Sequence, residues 1–135
     1  MTPDELKTRT KQFALRILKL VGALPGGGAG RIVVGQLGRA GTSVGANYRA
    51  ACRARSRKEF VAKIGIVEEE SDECEYWLEI TIEAGLLPER KVRPLLQEAV
   101  EIRRIMAASA KSARLTLDRQ PSANRQSAIR NRQSQ

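Results

Sequence analysis

Six cationic side chains crowd one short stretch of this chain. Arg49, Arg53, Arg55, Arg57, Lys58 and Lys63 fall within 15 residues, with Glu59 the only acid among them. A guanidinium is a planar, permanently charged fork of N–H donors that meets phosphate oxygens two at a time, so arginines at this density suit the backbone of RNA or DNA. The same pattern serves an ion-pair network, and the chain offers partners for one in Glu68, Glu69, Glu70, Asp72, Glu73, Glu75, Glu79 and Glu83. On sequence alone both readings stand. Only Tyr48 and Phe60 lie near the cluster, which favours contact with phosphates over stacking on bases.

Other chemistry is narrowly bounded. The chain has no histidine, and so lacks the commonest general base, the usual activator of Ser and Cys nucleophiles and the most frequent transition-metal ligand. A carboxylate di-metal site in a helical bundle needs Glu-x-x-His motifs, which are absent, and the acidic run lacks EF-hand spacing. It reads as a solvated acidic face, partly paired with basic helices. Pro25 to Gly30 is glycine-rich, but no Gly-Lys-Ser/Thr follows, so it reads as a helix connection and not a phosphate loop. Cys52 lies among arginines that favour a reactive thiolate, yet no base or resolving thiol accompanies it, and Cys74 reads as a small buried apolar residue. No catalytic, metal-ligating or cofactor-binding residue is assigned.

The length of 135 residues accommodates one core. With 41% hydrophobic residues but only 4% aromatic, that core is aliphatic, and an all-α class is favoured. The net charge is +9; residues 1–117 carry +6, and the last 18, with four Arg and one Asp, carry +3. A balance of this size favours polyanionic partners. Two cysteines without CxxC spacing, an acidic start and no long apolar run indicate a reduced, cytoplasmic protein that neither enters a membrane nor is exported.

Four amphipathic helices account for residues 1–117. The first opens with Thr2 as cap, Pro3 at the first helical position and Glu5 closing a capping box, and carries Leu6, Thr10, Phe13, Ile17, Leu20 and Leu24 on one face. The second spans about Arg31 to Ala51, with Val33, Leu37, Ala40, Val44, Asn47 and Ala51 in its stripe. Its Gly35, Gly38, Gly41 and Gly45 weaken the helix unless a neighbour packs closely on the small side. The third begins at a Ser56-x-x-Glu59 capping box and buries Phe60, Ile64, Val67, Ser71, Cys74, Leu78, Thr81 and Gly85. An adjoining stripe of Ile66, Glu70, Glu73, Trp77, Ile80 and Ala84 either widens this core face or meets another subunit. After Gly85 and Pro88 a fourth helix carries Val92, Leu95, Ala99, Ile102, Met106 and Ala113 to about Leu117. Residues 118–135, polar and basic with a repeated Asn-Arg-Gln-Ser, read as a disordered tail.

Taken together, Ser43-Val44-Gly45-Ala46-Asn47, Arg55-Ser56-Arg57-Lys58-Glu59-Phe60, the run from Ile64-Gly65-Ile66-Val67 to Glu75, and Glu83-Ala84-Gly85-Leu86-Leu87 resemble the bacterial four-helix-bundle family of proteins encoded in intervening sequences of 23S rRNA genes. The chain departs from that family's pattern at Gly45, where a proline is common, and at Arg49-Ala50-Ala51, where Ala-Glu-Gly is frequent. The resemblance implies an antiparallel up-down-up-down bundle and ring-shaped homopentamers, and it extends to the accessory protein of diversity-generating retroelements, a basic pentamer that binds nucleic acid and a reverse transcriptase. Sequence and resemblance together describe a non-enzymatic, cytoplasmic, homo-oligomeric bundle without cofactor, whose Arg49–Lys63 surface meets RNA or DNA. The alternatives are a module that docks a protein partner without nucleic acid and, more remotely, a metal-dependent nuclease.

Overall fold

The computed structural model describes residues 1–119, and within them the periodic segments form four helices: α1 (Pro3–Gly22), α2 (Ala29–Cys52), α3 (Arg57–Glu83) and α4 (Glu89–Asp118). From residue 120 onward the expected tail lies outside the described residues. Each helix packs broadly on the next in sequence, while α1 meets α4 only narrowly. Thr10 faces Gly45 and Ile17 faces Gly41, so residue numbers run in opposite directions along α1 and α2. Short connections repeat that reversal and produce an up-down-up-down bundle. Among the described residues no helix is long and apolar enough to cross a membrane.

Local chemistry sets the helix ends. Thr2 and Glu5 exchange side-chain to backbone hydrogen bonds of 3.1 and 3.0 Å, closing the expected capping box. After α3, Gly85 adopts φ +67°, and the N–H groups of Gly85 and Leu86 donate to the carbonyls of Ile82 and Thr81, the arrangement a left-handed glycine permits. Gly85 is therefore an exposed stop and not a member of the buried stripe.

The core is aliphatic. Phe13, Ile17, Leu37, Ile64, Leu78, Ile102 and Met106 are all but sealed from solvent, and each such side chain contributes about 1.5–3 kcal/mol on burial. The buried hydroxyls of Thr10, Ser71 and Thr81 donate to carbonyls one turn back in their own helices, at 2.9, 2.8 and 2.7 Å. Trp77 and Ile80 are half-buried against the core, whereas Ile66, in the same stripe, stands exposed. Asn47 is displaced from the expected stripe of α2 by Tyr48. From Val44 the next inward position falls four residues on, where Tyr brings an apolar ring, while Asn47 turns aside and donates to the Ser43 carbonyl at 2.8 Å.

Of the four glycines in α2, Gly41 and Gly45 are buried against α1, while Gly35 and Gly38 look into open space. Close approach therefore explains two of them only.

Ion pairs close the seams between helices. Arg9 of α1 reaches α4 with Nε 2.9 Å and Nη2 2.6 Å from the two carboxylate oxygens of Glu98, and Nη2 also meets Glu101. These hydrogen bonds hold the Glu98 carboxyl below its ordinary 4.5, against the opposing pull of partial burial. A carboxyl depressed on folding stabilises the protein fully above its unfolded value, and that contribution disappears as pH falls through the folded one. Arg9→Ala is expected to cost about 2 kcal/mol near neutral pH, leaving Glu98 half-buried without its partner. Urea titrations at pH 7 and pH 3 check it, because the deficit should shrink at the lower pH.

Candidate nucleic-acid interface

α2 ends where its apolar stripe gives way to Arg53, whose N–H caps the last turn by donating to the Ala50 carbonyl at 3.1 Å. Three residues later Ser56, in extended conformation, opens α3, its hydroxyl accepting from the Glu59 N–H at 3.0 Å. The reciprocal half of the expected capping box is altered: the Glu59 carboxylate accepts from the N–H of Arg55, at 3.1 Å, one residue before the cap. The tight joint presents that N–H to the first turn. The one acid of the cluster is thus held by backbone and not by a guanidinium.

Arg49, Arg53, Arg55, Arg57 and Lys58 are exposed and Lys63 is half-buried; among the described residues none of the six forms an ion pair. Acids on α3 are instead met from other helices. Arg39 of α2 binds Glu70 at 3.1 Å and also Glu73, while Arg103 of α4 binds the buried Glu75. Sequence reasoning had singled out neither arginine, since the choice depends on which helix turns face each other.

Arg49 and Arg53 do not stand alone. With Lys7, Thr8 and Lys11 of α1 they line a cleft of about 320 Å³ between the first two helices. Lys7 and Lys11 were missed as site residues; their signal was a pair of lysines one turn apart on a helix that antiparallel packing lays beside Arg49 and Arg53. The contact of Lys7 with Asp4, at 3.8 Å on the surface, contributes little. Arg57 lines a second, larger cleft with Tyr48, Cys52 and Phe60, while Arg55, Lys58 and Lys63 line neither. Burial raises the Tyr48 phenol above its usual value, with the Cys52 thiol beside it adding to the shift. Cys74 is fully buried as expected, and burial, then Glu70 and Glu73, push its thiol up.

This geometry can hold anions, and among the described residues no three carboxylate or thiol side chains come together as a metal site requires. Four antiparallel rods around an aliphatic interior define the chain as a small helical-bundle protein.

The chain belongs to the family of 23S rRNA-intervening sequence proteins, whose family model matches residues 5–108. It is similar to the crystal structure of a protein with unknown function from the S23 ribosomal protein family of Bacteroides thetaiotaomicron, at 31% identity and a TM-score of 0.73, over 78% of this chain and 98% of that one. No curated protein matches the chain significantly.

Proposed function

We propose that this chain is a non-enzymatic, cytoplasmic protein that assembles as a homo-oligomer, a pentamer by its likeness to the family, and holds RNA or DNA phosphates at the end of the bundle where α2 meets α3. The reading rests on one observation: Arg49, Arg53, Arg55, Arg57, Lys58 and Lys63 have no ion-pair partner among the described residues, while the inward-leaning acids of α3 are neutralised by Arg39 and Arg103. Charge left uncompensated on one end of a protein attracts polyanions and releases their counterions on contact. Lys7 and Lys11 extend the cationic surface onto α1.

Chromatography coupled to light scattering, run at ~50 mM and ~0.5 M salt with absorbance at 260 and 280 nm recorded, tests both parts. The expected result is a particle of about five 14.9-kDa chains that carries nucleic acid at low salt and sheds it at high salt. A monomer would overturn the assembly, and failure to retain an added RNA or DNA strand at ~50 mM salt would overturn the binding, because electrostatic affinity is greatest there.

Docking of a protein partner without nucleic acid draws on a different surface. Ile66 and Tyr76 stand 41% and 55% exposed along α3, in line with the exposed acids Glu69, Asp72, Glu79 and Glu83. An apolar strip within acid suits a basic protein.

A further inference from the structure

The larger cleft at the basic end has no role in phosphate contact alone. It is an open surface cleft of about 560 Å³ between the start of α1, the end of α2, the start of α3 and α4. Leu6, Phe60 and Ile105 give it apolar walls, Tyr48 and Cys52 contribute from α2, and Arg57 supplies a cationic side chain, with Met1 at the rim. Phe60 is only half-buried, so part of its ring remains available to a ligand. The cationic cleft between α1 and α2 adjoins it across a single turn of α2, since Arg49 and Arg53 line one side of that turn and Tyr48 and Cys52 the other.

A track for phosphates therefore leads into an apolar recess with an aromatic ring and a guanidinium. A double helix offers such a recess no free base face, because its bases are stacked and paired and show only their edges in the grooves. A single strand offers both parts at once: phosphates for the lysines and arginines, and an unpaired base for the face of Phe60 and the plane of Arg57. We infer that this cleft takes an unpaired nucleobase, so that single-stranded nucleic acid is the ligand of this protein. The inference rests on the nucleic-acid reading above and narrows it. It also revises the expectation that stacking is subordinate here, since one well-placed ring in a recess outweighs a shortage of aromatic residues along the chain.

The protein carries its own reporter. Cys52 lines the cleft and is half-exposed, whereas Cys74, the other cysteine, is fully buried, so alkylation of the folded chain by N-ethylmaleimide reads the cleft. The full chain is alkylated at ~50 mM salt alone and with saturating oligonucleotides of one length: a normal single strand, made as RNA and as DNA, a duplex, and an abasic strand of equal charge. Anisotropy of labelled oligonucleotides reports binding separately.

The normal single strands are expected to slow Cys52 alkylation about tenfold or more, and the duplex and abasic strand to leave it nearly unchanged even when bound. The more protective of the RNA and DNA strands identifies the preferred sugar. Ala54→Trp, which fills the cleft without altering a charge, should weaken the normal strand about tenfold and spare the abasic one. Equal protection by duplex or abasic strand, a bound single strand that leaves Cys52 reactive, or an Ala54→Trp effect that ignores the bases would overturn the inference while leaving phosphate binding intact. If no oligonucleotide binds at all, the nucleic-acid reading itself fails.

Discussion

Replacing Arg53, Arg55 and Arg57 together by alanine should lower affinity for single-stranded RNA or DNA at ~50 mM salt by roughly 10²–10³-fold. The magnitude follows from counterion release: each phosphate neutralised on a single strand contributes about 0.7 to the slope of log affinity against log salt, so three lost contacts remove about two from that slope. The salt dependence is the more telling measurement, because a folding defect would lower the fraction of active protein without flattening the line. Anisotropy titrations at four or five salt concentrations give both quantities. All three side chains are exposed and none is ion-paired among the described residues, so the helical content of the triple variant should match the parent. An unchanged slope would show that the joint does not touch phosphates.

The second large effect lies in α2 and concerns stability. A β-carbon at Gly41 would stand 2.6 to 2.9 Å from three side-chain atoms of Ile17, among them its own Cβ. Ile17 is fully buried and, being β-branched, cannot swing aside. Overpacking of this kind costs about 1–3 kcal/mol, more than the gain of up to ~1 kcal/mol from replacing a helical glycine by alanine. Gly41→Val, which keeps only part of that propensity gain and adds two methyl groups beyond alanine, should cost about 3 kcal/mol and lower the melting temperature by roughly 10 °C. Gly35→Ala, six residues earlier and facing open space, should instead stabilise the chain by about 0.5–1 kcal/mol. Thermal unfolding of the two variants side by side makes the comparison, and Ile17→Ala should recover part of the Gly41 loss through their direct contact.

Much of this fold is written in spacing. The stripe from Leu6 to Leu24 and the apolar positions from Ile64 to Leu78 follow the helical period and are buried as read, whereas Asn47, Phe60 and Gly85 were read as inward and are not buried, and the buried Tyr48, Glu75 and Ala110 were not read as inward. Asn47 failed because a 3.6-residue period leaves a choice between steps of three and four, and burial of a ring settled it for Tyr48. The site was legible as charge and illegible as geometry. Six cations in a row are visible in any sequence, but whether they are paired depends on which turn of α2 faces which turn of α3. Arg39 rather than Arg49 or Arg53 lies opposite Glu70 and Glu73. Lys7 and Lys11 lie some forty residues from Arg49, and only packing makes them neighbours. The apolar cleft leaves no trace in the sequence because it is bounded by residues from all four helices.

Helix α1 provides Lys7 and Lys11 to one cleft and Leu6 to the other, yet it is seated on α4 only narrowly and by the clasp from Arg9 to Glu98 and Glu101. The proposed recognition would thus rest on the least anchored rod of the bundle. Loss of that clasp, in strong acid or through Arg9→Ala, would loosen α1 and with it both clefts before the bundle as a whole unfolds, so the proposed binding and global stability need not fail together.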